Sequence, residues 1–360
     1  MELNMTEDTN RQFKPLIQDK ELPELKKWMA DHGEPAYRAG QVFSWVHGKQ
    51  VTSFDAMTNL SKSLRAKLAE DYDAAPLAMV QRQISETDGT NKFLYRLRDG
   101  QCIETVFMPY HHGNSVCVSS QVGCNMACAF CASGLLKKQR DLTAGEMVGQ
   151  IMFIQKELDA AGERVDNVVV MGTGEPFDNY DNVMDFCSVI NSDHGLSIGA
   201  RHITISTCGI VPKIRAFAEG HYQYNLAISL HAPNDELRRE LMPVDRAYPL
   251  DMLMDSLKAY SEDNHRRLTF EYILLKGVND SDDHARQLAD LIRGMNAYVN
   301  LIPYNEVDEN GFKTTDERTS LRFYDVIMKN GVKATLRSKH GDDIDAACGQ
   351  LRARHERNRQ

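Results

Sequence analysis

Three cysteines close together in the sequence, Cys124, Cys128 and Cys131, have the residue type and spacing of a metal-binding loop. An iron–sulfur cubane is normally held by four thiolates, one on each iron. The CxxxCxxC spacing supplies only three thiolates, so one iron would remain free to bind a substrate or cofactor directly. The loop therefore predicts a cluster that takes part in chemistry, since a structural metal site has all of its positions filled.

Two other uses of these thiols compete with an open cluster. A structural zinc ion needs four ligands, commonly from two CxxC pairs. No second pair follows, although His111 and His112 lie just upstream and could supply a fourth ligand. A disulfide framework is disfavoured because the eight cysteines are spread over 360 residues, a far longer chain than disulfide-dependent domains have. We expect the thiols to be reduced.

Length and composition are typical of a cytoplasmic enzyme. The chain has 360 residues, of which 42% are hydrophobic, enough to bury a full core and to form about two domains. Its first residues are acidic and lack the apolar run of a signal peptide. The uncharged stretch 113–136 is rich in Gly, Ser, Asn and Gln, which favours a strand and loop over a membrane span. We expect a cytoplasmic protein that does not contact a membrane.

The net charge of -9 argues against general binding of nucleic acid, because affinity for phosphates comes from clustered Lys and Arg. Short basic clusters do occur, at residues 137–140, 238–239, 266–267 and 352–359. Such clusters are usually solvated surface. The first remains a candidate binding site because it directly follows the cysteine loop.

The chain changes character near residue 80. Before it, helical spacing of apolar residues predicts helices over 21–32, 39–46 and 62–70. Residues 92–97 and 103–108 then alternate as strands do, with Asp99-Gly100 as the turn between them. From residue 114 strands and helices alternate, which indicates parallel βαβ units with right-handed crossovers.

Six or seven such units are fewer than an eightfold barrel needs, so we predict an α/β fold with a partial (β/α)6 barrel. The predicted strands are 115–119, 167–171, 202–206, 225–230, 269–275 and 298–303, with 333–336 as a possible seventh. The clearest predicted helices between them are 144–158, 182–190 and 283–292.

Polar residues collect where the predicted strands end, at the edge of parallel sheets where ligands bind. Gly174 and Glu175 follow the second strand, where glycine permits close approach of a ligand and the carboxylate can accept hydrogen bonds from an amine. The ends of three later strands carry Ser206, Ser229-Leu230-His231 and Asn305. A single Ser or Asn at a strand end usually caps a helix. Several such residues at one edge of the sheet favour a ligand pocket.

The cysteine loop, with aromatic Phe130 just before its last cysteine, resembles the signature of the radical S-adenosylmethionine (SAM) superfamily. That resemblance implies one 4Fe-4S cluster on three cysteines, with the free iron chelating the amino and carboxylate groups of SAM. The Gly-Thr-Gly-Glu run at 172–175 resembles the superfamily motif that holds the methionine amino group.

Further motifs resemble one family within it, the RlmN/Cfr family of RNA adenosine methyltransferases. They are SSQVGC at 119–124, GEPFDN at 174–179, SLHAP at 229–233, LMPV at 241–244 and GDDIDAACGQ at 341–350. The segment 37–46 is also similar to the accessory domain of that family. The resemblance implies an RNA-binding helical domain at 1–80, a β-rich extension at 81–113, the barrel at 114–345 and a C-terminal segment at 346–360.

The family resemblance also implies roles for residues that the superfamily does not explain. The C2 carbon of adenine is electron-poor and cannot attack the methyl group of SAM directly, so a radical route is required. Cys348 would first take a methyl group from one SAM, and the radical from a second SAM would activate that methyl for addition to the base. Cys117 would then release the product by attacking the sulfur of Cys348. Glu104 would accept a proton.

The other interpretation of these residues is structural. Cys117 on a strand would ordinarily be a core cysteine, and a strand carboxylate such as Glu104 commonly faces solvent. Cys102, Cys187 and Cys208 match no family role and are interpreted as packing residues.

The resemblance implies an adenosine of 23S ribosomal RNA as substrate, together with the adenosine 3′ of the anticodon in some transfer RNAs. The C2-directed RlmN branch has GxGEP where the C8-directed Cfr branch, which confers antibiotic resistance, has GxGEA. Gly174-Glu175-Pro176 favours C2. A low-potential donor such as flavodoxin or ferredoxin and a monomeric state are further expectations. A zinc-stabilised RNA-binding module and a radical SAM enzyme with another substrate are the competing hypotheses.

Overall fold

The structure, a computed structural model, describes residues 13–337, 341, 343, 344 and 351. Three helices form its N-terminal region: α1 (Leu22–Asp31), α2 (Tyr37–Phe43), which continues as a π-helical turn over Ser44–Gly48, and α3 (Lys62–Asp71). Ser61 caps α3 by accepting a hydrogen bond from the Leu64 amide at 3.1 Å. Apolar side chains of all three helices are buried in one core, which confirms the predicted helical region.

One sheet of ten strands organises the rest of the chain. Its first strands, β1 (Leu77–Ile84), β2 (Asn91–Leu97), β3 (Cys102–Tyr110) and β4 (Gly113–Cys117), pair antiparallel in sequence order. The sheet therefore runs across the predicted domain boundaries at residues 80 and 113. A separate two-stranded ribbon joins β5 (Gln121–Val122) and β6 (Arg140–Asp141) at the base of the cysteine loop.

Parallel pairing begins at β4 and continues to the last strand. These strands are β7 (Val165–Val170), β8 (Ile203–Thr207), β9 (Asn225–Ser229), β10 (Leu268–Leu274), β11 (Ala297–Pro303) and β12 (Lys333–Leu336). Each lies within two residues of a predicted strand. The edge strands β1 and β12 do not pair with each other in the described part of the chain, so the sheet is open.

Helices connect the parallel strands: α4 (Ala144–Ala161), α5 (Tyr180–Asn191), α6 (Val211–Glu219), α7 (Asp235–Leu241), α8 (Leu250–Asn264), α9 (Asp282–Leu291) and α10 (Glu317–Lys329). Thr143 and Glu146 form a capping box at the start of α4, where each side chain bonds the backbone amide of the other residue. The α/β fold with a mostly parallel sheet is confirmed. Because parallel strands end at the same edge, the residues that follow β4, β7, β8, β9 and β11 are brought together. None of the described helices is long and apolar enough to cross a membrane.

Candidate active site at the carboxyl edge of the sheet

A cavity of about 370 Å³ opens where the parallel strands end. Ten of the predicted site residues line it: Cys117, Cys124, Cys128, Cys131, Gly174, Glu175, Ser206, Ser229, His231 and Asn305. These residues come from five strand ends and one loop and are brought together only by the fold. Two predicted residues do not line the cavity, Glu104 and Leu230, and Cys348 lies outside the described residues.

Backbone hydrogen bonds hold the cysteine loop. The Cys124 amide donates to the carbonyl of Leu136 at 3.0 Å, and the Cys131 amide donates to the carbonyl of Cys128 at 3.1 Å. Ala127 adopts a positive φ of 53°, which turns the chain sharply between the first two cysteines. The three thiols are partly exposed to the cavity and form no disulfide.

The donor set fits an iron–sulfur cluster better than a zinc ion. Burial, helped by the neighbouring Cys131, raises the pKa of the Cys124 thiol to about 12, so a cationic group is needed to stabilise the thiolates together. Within the described residues no three His, Cys, Asp or Glu side chains are placed to hold one metal ion. A cubane does not need such convergence, because each thiolate binds a different iron. His111 and His112 are exposed in the turn before β4, away from the cavity, so neither supplies a fourth zinc ligand.

Glu175 is a buried carboxylate at the end of β7, with its side chain held by backbone amides. Oε1 accepts a hydrogen bond from Phe177 at 2.9 Å, and Oε2 accepts one from Cys208 at 2.8 Å. Burial raises the pKa of Glu175 although these donors favour its ionised form. Gly174 makes this turn possible, since its φ is 113° and a Cβ there would lie 2.6 Å from the Cβ of Gln121.

His231 follows β9 and is neutral at physiological pH. Burial, reinforced by Arg238, lowers its pKa to about 3. The amide of Ile273 donates to Nδ1 at 3.1 Å, so the ring proton must be on Nε2. Ser206 and Ser229 lie beside it on adjacent strands, with their hydroxyl oxygens 3.3 Å apart. These groups give the cavity neutral donors and acceptors. Leu230 is fully buried behind this wall, and its amide donates to the carbonyl of Glu271 at 3.0 Å.

Cys117 and Glu104 lie on the opposite wall, on β4 and β3. Cys117 lines the cavity, whereas Glu104 forms a buried ion pair with Lys92 at 3.0 Å. The expectation that a strand carboxylate at this position commonly faces solvent is wrong for Glu104, which is 4% exposed. Val106 and Met108 line the cavity from the same face of β3, because alternate side chains share a face. Leu351, three residues after Cys348 in the sequence, packs beside Leu94 and Cys102.

Comparisons with known proteins agree along most of the chain. Residues 17–73 match the family model of the ribosomal RNA large subunit methyltransferase N-terminal domain, and residues 118–289 match that of the radical SAM superfamily. Two curated relatives are named probable dual-specificity RNA methyltransferase RlmN. The protein from Streptococcus thermophilus is 53% identical, and the match covers 95% of this chain and 89% of that protein. The protein from Enterococcus faecalis is 55% identical, and the match covers 92% of this chain and 94% of that protein. The chain belongs to the RlmN family.

A solved structure extends this likeness to the fold. The crystal structure of a radical SAM methyltransferase from Sphaerobacter thermophilus has a TM-score of 0.90 and 44% identity, and the match covers 93% of this chain and 98% of that one. RlmN family membership and the three thiols of the cysteine loop together imply a 4Fe-4S cluster and SAM at this cavity.

Sequence reasoning missed two charged residues of the cavity. Glu271 on β10 and Arg337 after β12 both line it. Burial raises the pKa of Glu271 to about 7. Arg337 and a 2.8 Å hydrogen bond from the side-chain amide of Asn300 oppose this shift, because both favour the charged form. The available signal was a single acidic residue within the apolar run Leu268–Leu274. An isolated charge in a buried strand points to a polar function inside the barrel.

The basic cluster after the cysteine loop is largely neutralised. Lys138 pairs with Asp141 and Asp178, each at 2.8 Å. Arg140 pairs with Asp99 and Glu146. Of the cluster's cations, Lys137 alone is exposed and the other two are half-buried, so this segment offers less positive charge to a phosphate than its sequence indicates.

Proposed function

We propose that this protein methylates the C2 carbon of an adenosine in 23S ribosomal RNA, and of the adenosine 3′ of the anticodon in transfer RNA. The observation that carries the proposal is that the three thiols of the cysteine loop, the Glu175 carboxylate and Cys117 line one cavity. Support for the substrate comes from the relatives named dual-specificity RNA methyltransferases, which match over more than nine-tenths of this chain. Gly174-Glu175-Pro176 favours C2 over C8.

The proposal divides the cysteines between two tasks. When bound, a 4Fe-4S cluster and SAM would supply a 5′-deoxyadenosyl radical that removes a hydrogen atom from a methyl group. Cys124, Cys128 and Cys131 would hold that cluster, and Glu175 would orient SAM beside it. Cys348 would carry the methyl group, taken as an electrophile from a first SAM by displacement at carbon, so that each turnover uses two molecules of SAM.

Cys117 completes the reaction by releasing the product. Once the methylene carbon has joined the base to the sulfur of Cys348, the radical adduct would lose the C2 proton and return one electron to the oxidised cluster, which restores the aromatic ring. A Cys117 thiolate then attacks that sulfur. An S–S bond forms, the S–C bond breaks, and the electron pair on the methylene carbon takes a proton to become the methyl group. The disulfide between Cys117 and Cys348 is then reduced by a thiol reductant before the next turnover.

Glu104 is proposed as the acceptor of the proton that C2 loses. Its support is that it shares a face of β3 with Val106 and Met108, which line the cavity, and that it pairs with Lys92 at 3.0 Å. The target base must leave its stack to reach a cavity inside the barrel. We further propose that a low-potential donor such as flavodoxin or ferredoxin delivers the electron.

Mass spectrometry of ribosomal RNA tests the proposal. RNA would be compared from cells that lack the protein, cells that re-express it, and cells that express Cys348→Ala or Cys117→Ala. Restoration of 2-methyladenosine by the unaltered protein alone is expected. The appearance of 8-methyladenosine would assign the protein to the Cfr-like reaction.

Two other outcomes would contradict the proposal. Cleavage of SAM without any change in RNA would indicate a radical enzyme with another substrate. Bound zinc, without iron, sulfide or SAM cleavage, would indicate an RNA-binding module.

A further inference from the structure

Arg238 on α7 has a fully buried guanidinium group directly behind the cavity. Its sequence neighbourhood, Arg238-Arg239, is typical of a solvated face, but the Arg238 side chain is 0% exposed. Nη1 donates to Oδ1 of Asp245 at 3.1 Å, and Nη2 donates to the carbonyl oxygen of Cys208 at 2.7 Å. Gly209 leaves room for this approach, because a Cβ there would lie 3.3 Å from Nη2. A cation is buried at such a cost only where its partners are fixed.

The contact with Cys208 connects Arg238 to the carboxylate that would bind SAM. Cys208 accepts the hydrogen bond from Arg238 with its carbonyl group, and its amide donates to Oε2 of Glu175 at 2.8 Å. Arg238 therefore fixes the residue that fixes Glu175. The three side chains and backbone groups in this series are buried, so water does not compete for their hydrogen bonds.

The same helix also holds the cysteine loop. At the end of α7 the carbonyl of Leu241 accepts a hydrogen bond from the amide of Ala129, between two of the cluster cysteines, at 2.9 Å. Leu241 and Met242 belong to the apolar cluster that contains Phe130. Helix α7 is thus bonded directly to the thiol loop and, through Cys208, is linked to Glu175.

We propose that Arg238 is a positioning residue that holds Glu175 and the cysteine loop in one frame for SAM. This inference rests on the proposed binding of a cluster and SAM at the cavity. It does not depend on the identity of the RNA substrate.

Three variants test this role. Arg238→Lys keeps the positive charge but cannot bridge Asp245 and Cys208 as the planar guanidinium does. Arg238→Met combined with Asp245→Asn removes both charges without leaving a lone buried carboxylate. Arg286→Met is the control, since Arg286 lies on α9, pairs with Asp283 and has a side chain that is about half exposed.

Binding of SAM would be measured on protein with a reconstituted cluster and no RNA. SAM affinity per intact cluster should fall about 10- to 100-fold in both Arg238 variants, the usual effect of losing an outer partner of a metal site. Arg286→Met should match the unaltered protein.

A double-mutant cycle with Glu175→Gln tests whether Arg238 acts through Glu175. Arg238→Lys should lower SAM affinity much less in the Glu175→Gln background than in the unaltered one. Equal losses in both backgrounds, or normal affinity in Arg238→Lys, would overturn the proposal. If Arg238→Met/Asp245→Asn fails to fold or to take up iron, the cycle with Arg238→Lys still decides the positioning role.

Because no RNA is present, failure here is separate from failure of the proposed methylation. The unaltered protein could methylate RNA while the Arg238 variants bind SAM normally. Conversely, the Arg238 variants could lose SAM affinity while the unaltered protein leaves RNA unchanged.

Discussion

Two walls of the cavity bury a glutamate in different ways. Glu175, at the end of β7, and Glu104, in the middle of β3, are each 4% exposed. The amides of Phe177 and Cys208 hold Glu175, and no cation is paired with it within the described residues. Glu104 instead pairs with the fully buried Lys92.

The difference shows what each wall can offer a ligand. Backbone amides stabilise a carboxylate without cancelling its charge, so Glu175 can still attract an ammonium group. Lys92 offsets the charge of Glu104 through a contact of 3.0 Å, so this wall contains a neutral ion pair. Strand ends supply free amides, whereas a strand centre has its amides paired in the sheet. A buried charge there therefore needs a charged partner.

The largest expected effect is on stability, from Glu104→Gln. It leaves Lys92 buried without its countercharge, which should cost about 3–5 kcal/mol in the free energy of unfolding. Urea denaturation followed by circular dichroism measures this. Glu104→Gln combined with Lys92→Met should recover most of the loss. A single variant within about 1 kcal/mol of the unaltered protein would show that the ion pair does not govern this wall.

Glu175→Gln should instead affect binding. Loss of a charge-assisted hydrogen bond should weaken SAM about 10- to 100-fold, since such bonds contribute about 1.5–3 kcal/mol. Its stability cost should be smaller than that of Glu104→Gln, because no buried cation is left behind. Equilibrium dialysis with the reconstituted protein measures the affinity. Glu306→Gln, an exposed carboxylate after β11, is the control and should bind SAM normally. Equal losses of SAM affinity in Glu175→Gln and Glu306→Gln would show that the wall with Glu175 has no special role in binding SAM.

A third buried ionisable group, His47 in the N-terminal region, extends the comparison to a site with neither kind of partner. Both of its ring nitrogens lack a hydrogen-bond partner among the described residues, and burial lowers its pKa to about 3. The folded state therefore binds fewer protons than the unfolded state. The contribution of neutral His47 to the free energy of unfolding is complete above its unfolded-state pKa of about 6.5. It is lost as the pH falls toward the pKa of His47 in the folded state.

His47→Leu should remove this acid sensitivity. Relative to the unaltered protein, the variant should gain about 2 kcal/mol between pH 7.5 and pH 5. Urea midpoints at the two pH values measure it, and part of the acid loss should persist because the pKa of His231 is also lowered. Identical pH dependence in both proteins would contradict the assignment.

The sequence predicted the order of elements well, because alternating strands and helices leave a strong periodic pattern. The predicted strand 298–303, for example, corresponds to β11 at 297–303. It also predicted the strand ends where Glu175, Ser206 and His231 meet, since parallel topology alone brings such ends together.

Pairings between distant residues could not be predicted. The partners of Glu104 and Arg238 depend on strand register and on packing across the barrel, which local patterns do not encode. Arg238 was therefore interpreted as surface although it is fully buried. Arg337 gave no signal either, because it becomes part of the site only after β12 joins the sheet. The role of Cys348 stays a prediction from its motif.

The most direct test of the two-cysteine account is to trap the product on the protein with Cys117→Ala. Without the attacking thiol, the methylated RNA should stay joined to Cys348. Nuclease and protease digestion followed by mass spectrometry should then give an adenosine attached to the peptide that contains this cysteine. Free 2-methyladenosine formed at the normal rate, or an adduct on another peptide, would contradict the account.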